Sequence, residues 1–233
     1  MALLGLRLNR ARGPADSPFA SSSTADLRGA AANVVHVRRP ELRAALAPHA
    51  PLAGALRGPP PPPAPLAAPG RGLLEAGADQ LVAPIACPEL AAAVRADALS
   101  IAAAVYDALG GERPLRGKLE LIRGQSCPRW HADSLSLRAL VTYEGPGTWF
   151  LTSNRFARRA WSLDGAVAVA GADEAGALQA EPCDVLYLKG NGFPGLWGMG
   201  AVHRSPEGAS AAAPRLLLTV DDVQPDCACC SER

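Results

Sequence analysis

Residues 127–151 read CPRWHADSLSLRALVTYEGPGTWFL, and this stretch decides how the chain is read. Its core, Leu135–Tyr143, alternates apolar and polar residues as a half-buried strand does. Gly145-Pro146-Gly147 is strong turn punctuation, after which Thr148–Leu151 resumes an extended pattern. Just before the strand stands His131-Ala132-Asp133. Two metal-ligand residue types at i and i+2 share one face if the backbone is extended, so both reach one ion. Counting on from Asp133 along an unbroken strand, Leu135, Leu137 and Tyr143 fall on its face and Arg138 points away. Tyr143 is therefore a candidate pocket residue, or a core residue with a hydrogen-bonded hydroxyl.

Working outward, the same punctuation recurs. Lys118–Arg123, Ala166–Ala170, Asp184–Lys189, Ala201–His203 and Arg215–Val220 are further strand candidates with no long helix between them. About six or seven short strands in series predict a β-sandwich or barrel. Upstream, Pro88–Leu109 is the best helix: Pro88 and Glu89 suit a first turn, Leu90, Val94, Ile101, Val105 and Leu109 recur at helical spacing, and Gly110-Gly111 ends it. Asn33–Arg39 reads as a short strand and Pro40–Leu46 as a short helix. Five consecutive prolines, Pro59–Pro63, impose polyproline II, so residues 58–72 read as a stiff linker outside any sheet. The expected organisation is a loose tail over 1–30, a strand and helix segment over 31–57, the linker over 58–72, a β-barrel domain over 73–222 with its leading helix at 88–109, and a cysteine-rich tail over 223–233. Helices before the barrel would support it.

Composition excludes several classes. Across 233 residues, 23 Lys and Arg stand against 22 Asp and Glu, a net charge of +1, so no basic surface for nucleic acid is expected. No apolar run has the ~20 residues that cross a bilayer, so no membrane association is expected. The first residues place a few apolar positions before Arg7 and Arg10, the reverse of a secretory signal, and the six cysteines form no disulfide framework. Both point to a reduced, cytoplasmic setting.

His203 lies 72 residues after His131, at the end of a strand candidate, and Arg215 opens the strand 12 residues further on. Two imidazoles and one carboxylate make the facial triad that holds Fe(II) while leaving positions open for a co-substrate and dioxygen. The Arg215 guanidinium then suits the far carboxylate of a 2-oxo acid, by a bidentate pair that lysine makes less well. The plainer alternatives are a surface histidine beside an aspartate, a turn histidine held by Arg204-Ser205-Pro206, and an exposed strand-start arginine. Arg204 is a further candidate for binding a cofactor carboxylate, or simply part of a polar turn. Cys127 is either a fourth, soft ligand favouring zinc or a small buried residue. Cys227, Cys229 and Cys230 form a candidate soft-metal site in the tail, or a reactive tail without one. Lys189–Gly198 is glycine-rich but lacks the phosphate-loop pattern; it reads as a mobile lid, with Phe193 and Trp197 as apolar contacts.

The run from Cys127 to Asp133, then Leu137-Arg138, Thr142–Thr148, Leu188–Gly190, Val202–Pro206 and Arg215–Asp221, resembles the DUF1826 family of bacterial proteins over roughly residues 30–222. Ser134 stands where that family is expected to carry Asn. The family's motif order is similar to that of 2-oxoglutarate/Fe(II) oxygenases. The resemblance thus implies a mainly β, α+β fold with a double-stranded β-helix (cupin-like jelly roll) core. The motif order agrees with the reading of the residues themselves, in which His131, Asp133 and His203 are metal ligands and Arg215, with Tyr143 and Arg204 as further candidates, binds the co-substrate. The expected activity is Fe(II)- and 2-oxoglutarate-dependent hydroxylation of a small-molecule or protein substrate whose class the residues do not disclose. The rival expectations are a cupin-like zinc or iron binder without turnover, and a barrel acting only through partner contacts.

Overall fold

Strand Arg215–Asp222 is buried along its whole length, with a strand hydrogen-bonded to each of its edges. The computed structural model describes residues 20–152, 158–161, 167–170, 176–196 and 199–223. In chain order the described strands are β1 (Ala20–Ser21), β2 (Val34–Val37), β3 (Ala64–Ala68), β4 (Gly72–Leu73), β5 (Leu115–Ile122), β6 (His131–Ala132), β7 (Leu137–Glu144), β8 (Trp149–Leu151), β9 (Arg158–Trp161), β10 (Val167–Ala170), β11 (Ala177–Gln179), β12 (Val185–Lys189), β13 (His203–Arg204) and β14 (Arg215–Asp222). The α-helices are α1 (Pro40–Leu46), α2 (Glu75–Val82) and α3 (Pro88–Ala108).

Two sheets form, ordered β1-β2-β12-β7-β14-β5-β3-β4 and β11-β8-β13-β6-β10-β9. The eight core strands β5, β6, β7, β8, β11, β12, β13 and β14 weave between them, giving β12-β7-β14-β5 in one sheet and β11-β8-β13-β6 in the other. That interleaving is the double-stranded β-helix, a jelly roll. The β9–β10 pair extends the smaller sheet beyond β6, and β1–β4 extend the larger one at both ends.

Side-chain alternation divides the larger sheet into two faces. Leu137, Ala139, Val141 and Tyr143 of β7, with Leu216, Leu218 and Val220 of β14, join the helix-side core. Leu140 and Leu217 instead meet Phe150 of the smaller sheet. Helix α3 covers the outer face through Leu90, Val94, Ala98, Ile101, Ala102 and Val105, all buried. Each large apolar side chain buried there contributes on the order of 1.5–3 kcal/mol. The buried polar exception, Asp97, accepts from Tyr143 Oη at 2.6 Å and pairs with the Arg39 guanidinium.

Three expectations about the N-terminal third are corrected. Residues 20–30 are not a loose tail: β1 pairs with β2, and Thr24–Leu27 form a 3-10 turn. The segment over 31–57 is not separate, because β2 is hydrogen-bonded along β12. Nor is all of 58–72 a linker. Pro59–Pro63 stay outside the strands, but β3 follows and pairs with β5 and β4. The pairing shifts register between Pro65 and Ala67, a bulge that absorbs the missing proline N–H. Helix α2 lies so close above that a Cβ on Gly77 would sit 1.8 Å from the Pro65 carbonyl oxygen. The single folded unit therefore begins well before residue 73. The first 19 residues and the tail thiols Cys227, Cys229 and Cys230 lie outside the described residues.

Lys189 locks the N-terminal turn onto the sheet. Its side chain is fully buried, and Nζ donates to the carbonyls of Asp26 (2.7 Å), Ala32 (2.7 Å) and Gly29. Replacing it (Lys189→Met) removes the donor from three carbonyls and should lower the unfolding free energy by about 2–4 kcal/mol. Urea unfolding should then show a lower midpoint at unchanged slope. A midpoint equal to the parent's would contradict this role.

Candidate metal centre

His131 and His203 are cross-strand partners on β6 and β13, which sets their rings side by side with centroids 4.4 Å apart. Asp133 follows β6 directly, in a loop that leads back to the larger sheet. Its Oδ1 lies 3.8 Å from His131 Nε2 and its Oδ2 3.5 Å from His203 Nε2. One donor atom from each of the three residues lies within 4.8 Å of the other two. The sequence-predicted ligands are thus brought together.

The rings are oriented by the chain itself. His131 Nδ1 donates to the Arg129 carbonyl at 2.8 Å, and His203 Nδ1 donates to the Ala201 carbonyl at 3.1 Å. Carbonyls only accept, so each neutral ring carries its proton on Nδ1 and offers the Nε2 lone pair to the shared space. Burial, reinforced by His131, pushes His203 down to about 4. For Asp133 burial acts upward, but the charge on Arg138 and the two imidazoles outweigh it and hold the carboxyl at about 2. At neutral pH His203 is therefore a neutral donor and Asp133 a carboxylate. This pair suits a divalent cation without first losing a proton.

Arg138 holds that carboxylate in place. Nη1 donates to Asp133 Oδ2 at 2.9 Å, while Nε and Nη2 clasp both oxygens of Asp221 at 2.7 and 2.9 Å. This reverses the parity expected from sequence. The strand is not continuous from Asp133: β6 ends at Ala132 in one sheet and β7 begins at Leu137 in the other. The intervening turn changes the face, so Arg138 points in and Tyr143 points out. Tyr143 lies in the helix-side core bonded to Asp97, not beside Asp133. Arg138 and Asp221 were missed for the same reason, although Asp221 stands at an even offset from Arg215 on one strand and so shares its face.

The turn is itself pinned. Asp222 accepts from the backbone N–H groups of Ser136 and Leu137, each at 3.0 Å. Asn191 N–H donates to the Asp133 carbonyl at 2.7 Å, and Gly190 N–H to that of Ser136 at 2.9 Å. The approach is so close that a Cβ on Gly190 would lie 2.0 Å from the Leu135 carbonyl oxygen. The glycine-rich stretch is accordingly no free lid near its start: it braces the metal loop, and Phe193 is buried in the core. Trp197 lies outside the described residues.

Arg215 is buried, not an exposed strand-start residue. Its Nε and Nη2 donate to Thr142 Oγ1 at 3.2 and 2.9 Å, and Nη2 also to Thr148 Oγ1 at 2.6 Å. No carboxylate among the described residues forms an ion pair with it; burial lowers it to about 10, opposed only by Glu120, so it remains a cation. Alternation along β14 points it, like Leu217 and Asp221, into the space between the sheets. Arg204, next to His203 on β13, takes the opposite face. It stacks over Trp130 at 5.1 Å and Trp149 at 5.9 Å and reaches Glu207, which removes it from the three-ligand cluster. Cys127 is half-buried and is not one of the convergent donors; its backbone pairs with Ser205.

Among the described residues no helix is long and apolar enough to cross a membrane. No curated protein matches the chain. Solved structures similar to it include the rice dioxygenase for auxin oxidation (19% identity, TM-score 0.45, 87% of this chain and 78% of that one). Another is the Arabidopsis thaliana dioxygenase for auxin oxidation 1 in complex with 2-oxoglutarate (12%, 0.38, 83% and 84%). A third is a Pseudomonas putida prolyl-4-hydroxylase (14%, 0.37, 89% and 98%). A family model matches residues 71–221, well over half of the 233 residues, and the chain belongs to that family, described as Protein of unknown function (DUF1826).

Proposed function

We propose that the protein is a non-haem Fe(II)- and 2-oxoglutarate-dependent oxygenase. The observation that carries this reading is a two-imidazole, one-carboxylate donor face sharing the inter-sheet space with a buried guanidinium that forms no ion pair among the described residues. His131, Asp133 and His203 would hold Fe(II), a donor set of borderline and hard atoms without thiolate. Arg215 would take the distal carboxylate of 2-oxoglutarate, with the Thr142 and Thr148 hydroxyls beside it. A buried cation is costly until an anion meets it, so the site is built for an acid. When bound, the metal and 2-oxo acid supply the oxidising power for inserting one oxygen atom of O2 into a C–H bond, yielding succinate, CO2 and the hydroxylated product. The chain's own part is to fix the donor geometry, keep Asp133 ionised and oriented through Arg138, and exclude bulk water around Phe150. The rival, a cupin-like zinc or iron binder without turnover, drew on nearby thiols, and Cys127 is not among the donors.

Anaerobic protein given Fe(II) should develop a weak visible charge-transfer band on adding 2-oxoglutarate, and on exposure to air should form succinate. Tight zinc binding with neither signal would favour the non-catalytic binder. The Asp133→Ala variant should stay folded by circular dichroism yet fail to retain Fe(II) after desalting. Retention equal to the parent's would remove Asp133 from the site.

Arg215→Met separates ligand binding from folding. It should weaken 2-oxoglutarate binding at least about tenfold, the loss of a charge-assisted pair. Metal affinity should not change, and the apo-protein should be no less stable, because an uncompensated buried charge has been removed. A large drop in melting temperature with unchanged 2-oxoglutarate affinity would make Arg215 a structural residue only.

A further inference from the structure

A second group of ligand-type side chains lies away from the inter-sheet site, where α3 begins. His49 ends a 3-10 turn (Ala47–His49), Cys87 is the residue before α3, and Glu89 lies in its first turn. Glu89 Oε2 is 3.4 Å from Cys87 Sγ and 3.8 Å from His49 Nδ1, and the three donor atoms all lie within 4.8 Å of one another. Sulfur, nitrogen and oxygen ligands around one tetrahedral zinc, at the usual bond lengths of about 2.0–2.3 Å, stand roughly 3.3–3.6 Å apart. The observed spacing is within a few tenths of an ångström of that for two of the three pairs.

The two segments that bring these donors together are tied independently of them. Arg57 N–H donates to the Pro84 carbonyl at 2.8 Å, Ala86 N–H donates to the Ala55 carbonyl at 2.7 Å, and Leu56 bridges Ile85. His49 and Cys87 are half-buried, while the Glu89 side chain is 55% exposed, so the cluster is braced from below and open to solvent.

We propose that His49, Cys87 and Glu89 form a zinc site distinct from the inter-sheet centre. The mixed thiolate, imidazole and carboxylate set selects zinc over magnesium or calcium, which favour harder donors, and over Fe(II), which lies below zinc in the affinity order. Three protein ligands leave a fourth tetrahedral position for water or an exogenous ligand. Binding releases the Cys87 thiol proton, which now lies toward Glu89, and joins the segment before β3 to the start of α3.

The test uses cobalt(II) as a coloured zinc substitute in the full chain with Cys227, Cys229 and Cys230 changed to serine. A thiolate-to-cobalt charge-transfer band in the near ultraviolet should appear, saturate at one equivalent once the inter-sheet site is removed by Asp133→Ala, and be displaced by zinc. It should be lost in Cys87→Ser and His49→Ala and retained in Asp133→Ala, which lacks the inter-sheet carboxylate. Glu89→Gln, a change at an exposed position that leaves the fold alone, should weaken zinc binding by about tenfold or more. The absence of a band, or a band that survives Cys87→Ser, would overturn the proposal.

Discussion

The Arg138 guanidinium spans two aspartates, and the candidate metal centre depends on that span. Asp133 sits on a turn between the sheets and belongs to neither. Asp221 is fixed on β14, a strand buried along its whole length. By clasping Asp221 with two nitrogens and Asp133 with a third, Arg138 transfers the rigidity of β14 to a side chain that no strand holds. The same cation is the largest charge opposing the burial that pushes the Asp133 carboxyl up. One residue thus sets both the position and the charge of the carboxylate between the two imidazoles.

Two buried cations in this fold are satisfied in different ways, and the difference separates structure from function. Lys189 meets three backbone carbonyls, so its hydrogen-bonding capacity is filled by the chain. Among the described residues Arg215 meets two threonine hydroxyls and forms no ion pair, the charge of Glu120 only partly opposing the cost of its burial. Protein interiors seldom leave a charge in that state without a partner. In the function proposed above, an acidic ligand would supply the opposing charge, which is why Arg215, not Lys189, enters the functional reading.

Much of this architecture was legible in the sequence because its signals are local. The α3 register follows from Leu90, Val94, Ile101 and Val105, and β14 from the apolar run after Arg215. His131, Asp133 and His203 were found because H-x-D on extended backbone brings two ligands to one face. What failed was reasoning that carried a local rule across a break. The two-residue alternation was extended from Asp133 to Tyr143, but the chain changes sheets between Ala132 and Leu137, and the faces of Arg138 and Tyr143 were exchanged. Likewise, five prolines forbid a strand only where they stand; Ala64–Ala68, immediately after them, pairs through a bulge. The roles of residues 20–37 and of the His49 cluster depend on contacts between distant segments, which no single-chain pattern encodes.

The central claim is that two imidazoles and one carboxylate, and no sulfur, converge on one ion between the sheets. Iron K-edge X-ray absorption on anaerobic protein carrying one equivalent of Fe(II) measures this directly. The account predicts a first shell of nitrogen and oxygen only, with the outer-shell scattering of two imidazoles. A sulfur shell at about 2.3 Å, or scattering from fewer than two imidazoles, would contradict it.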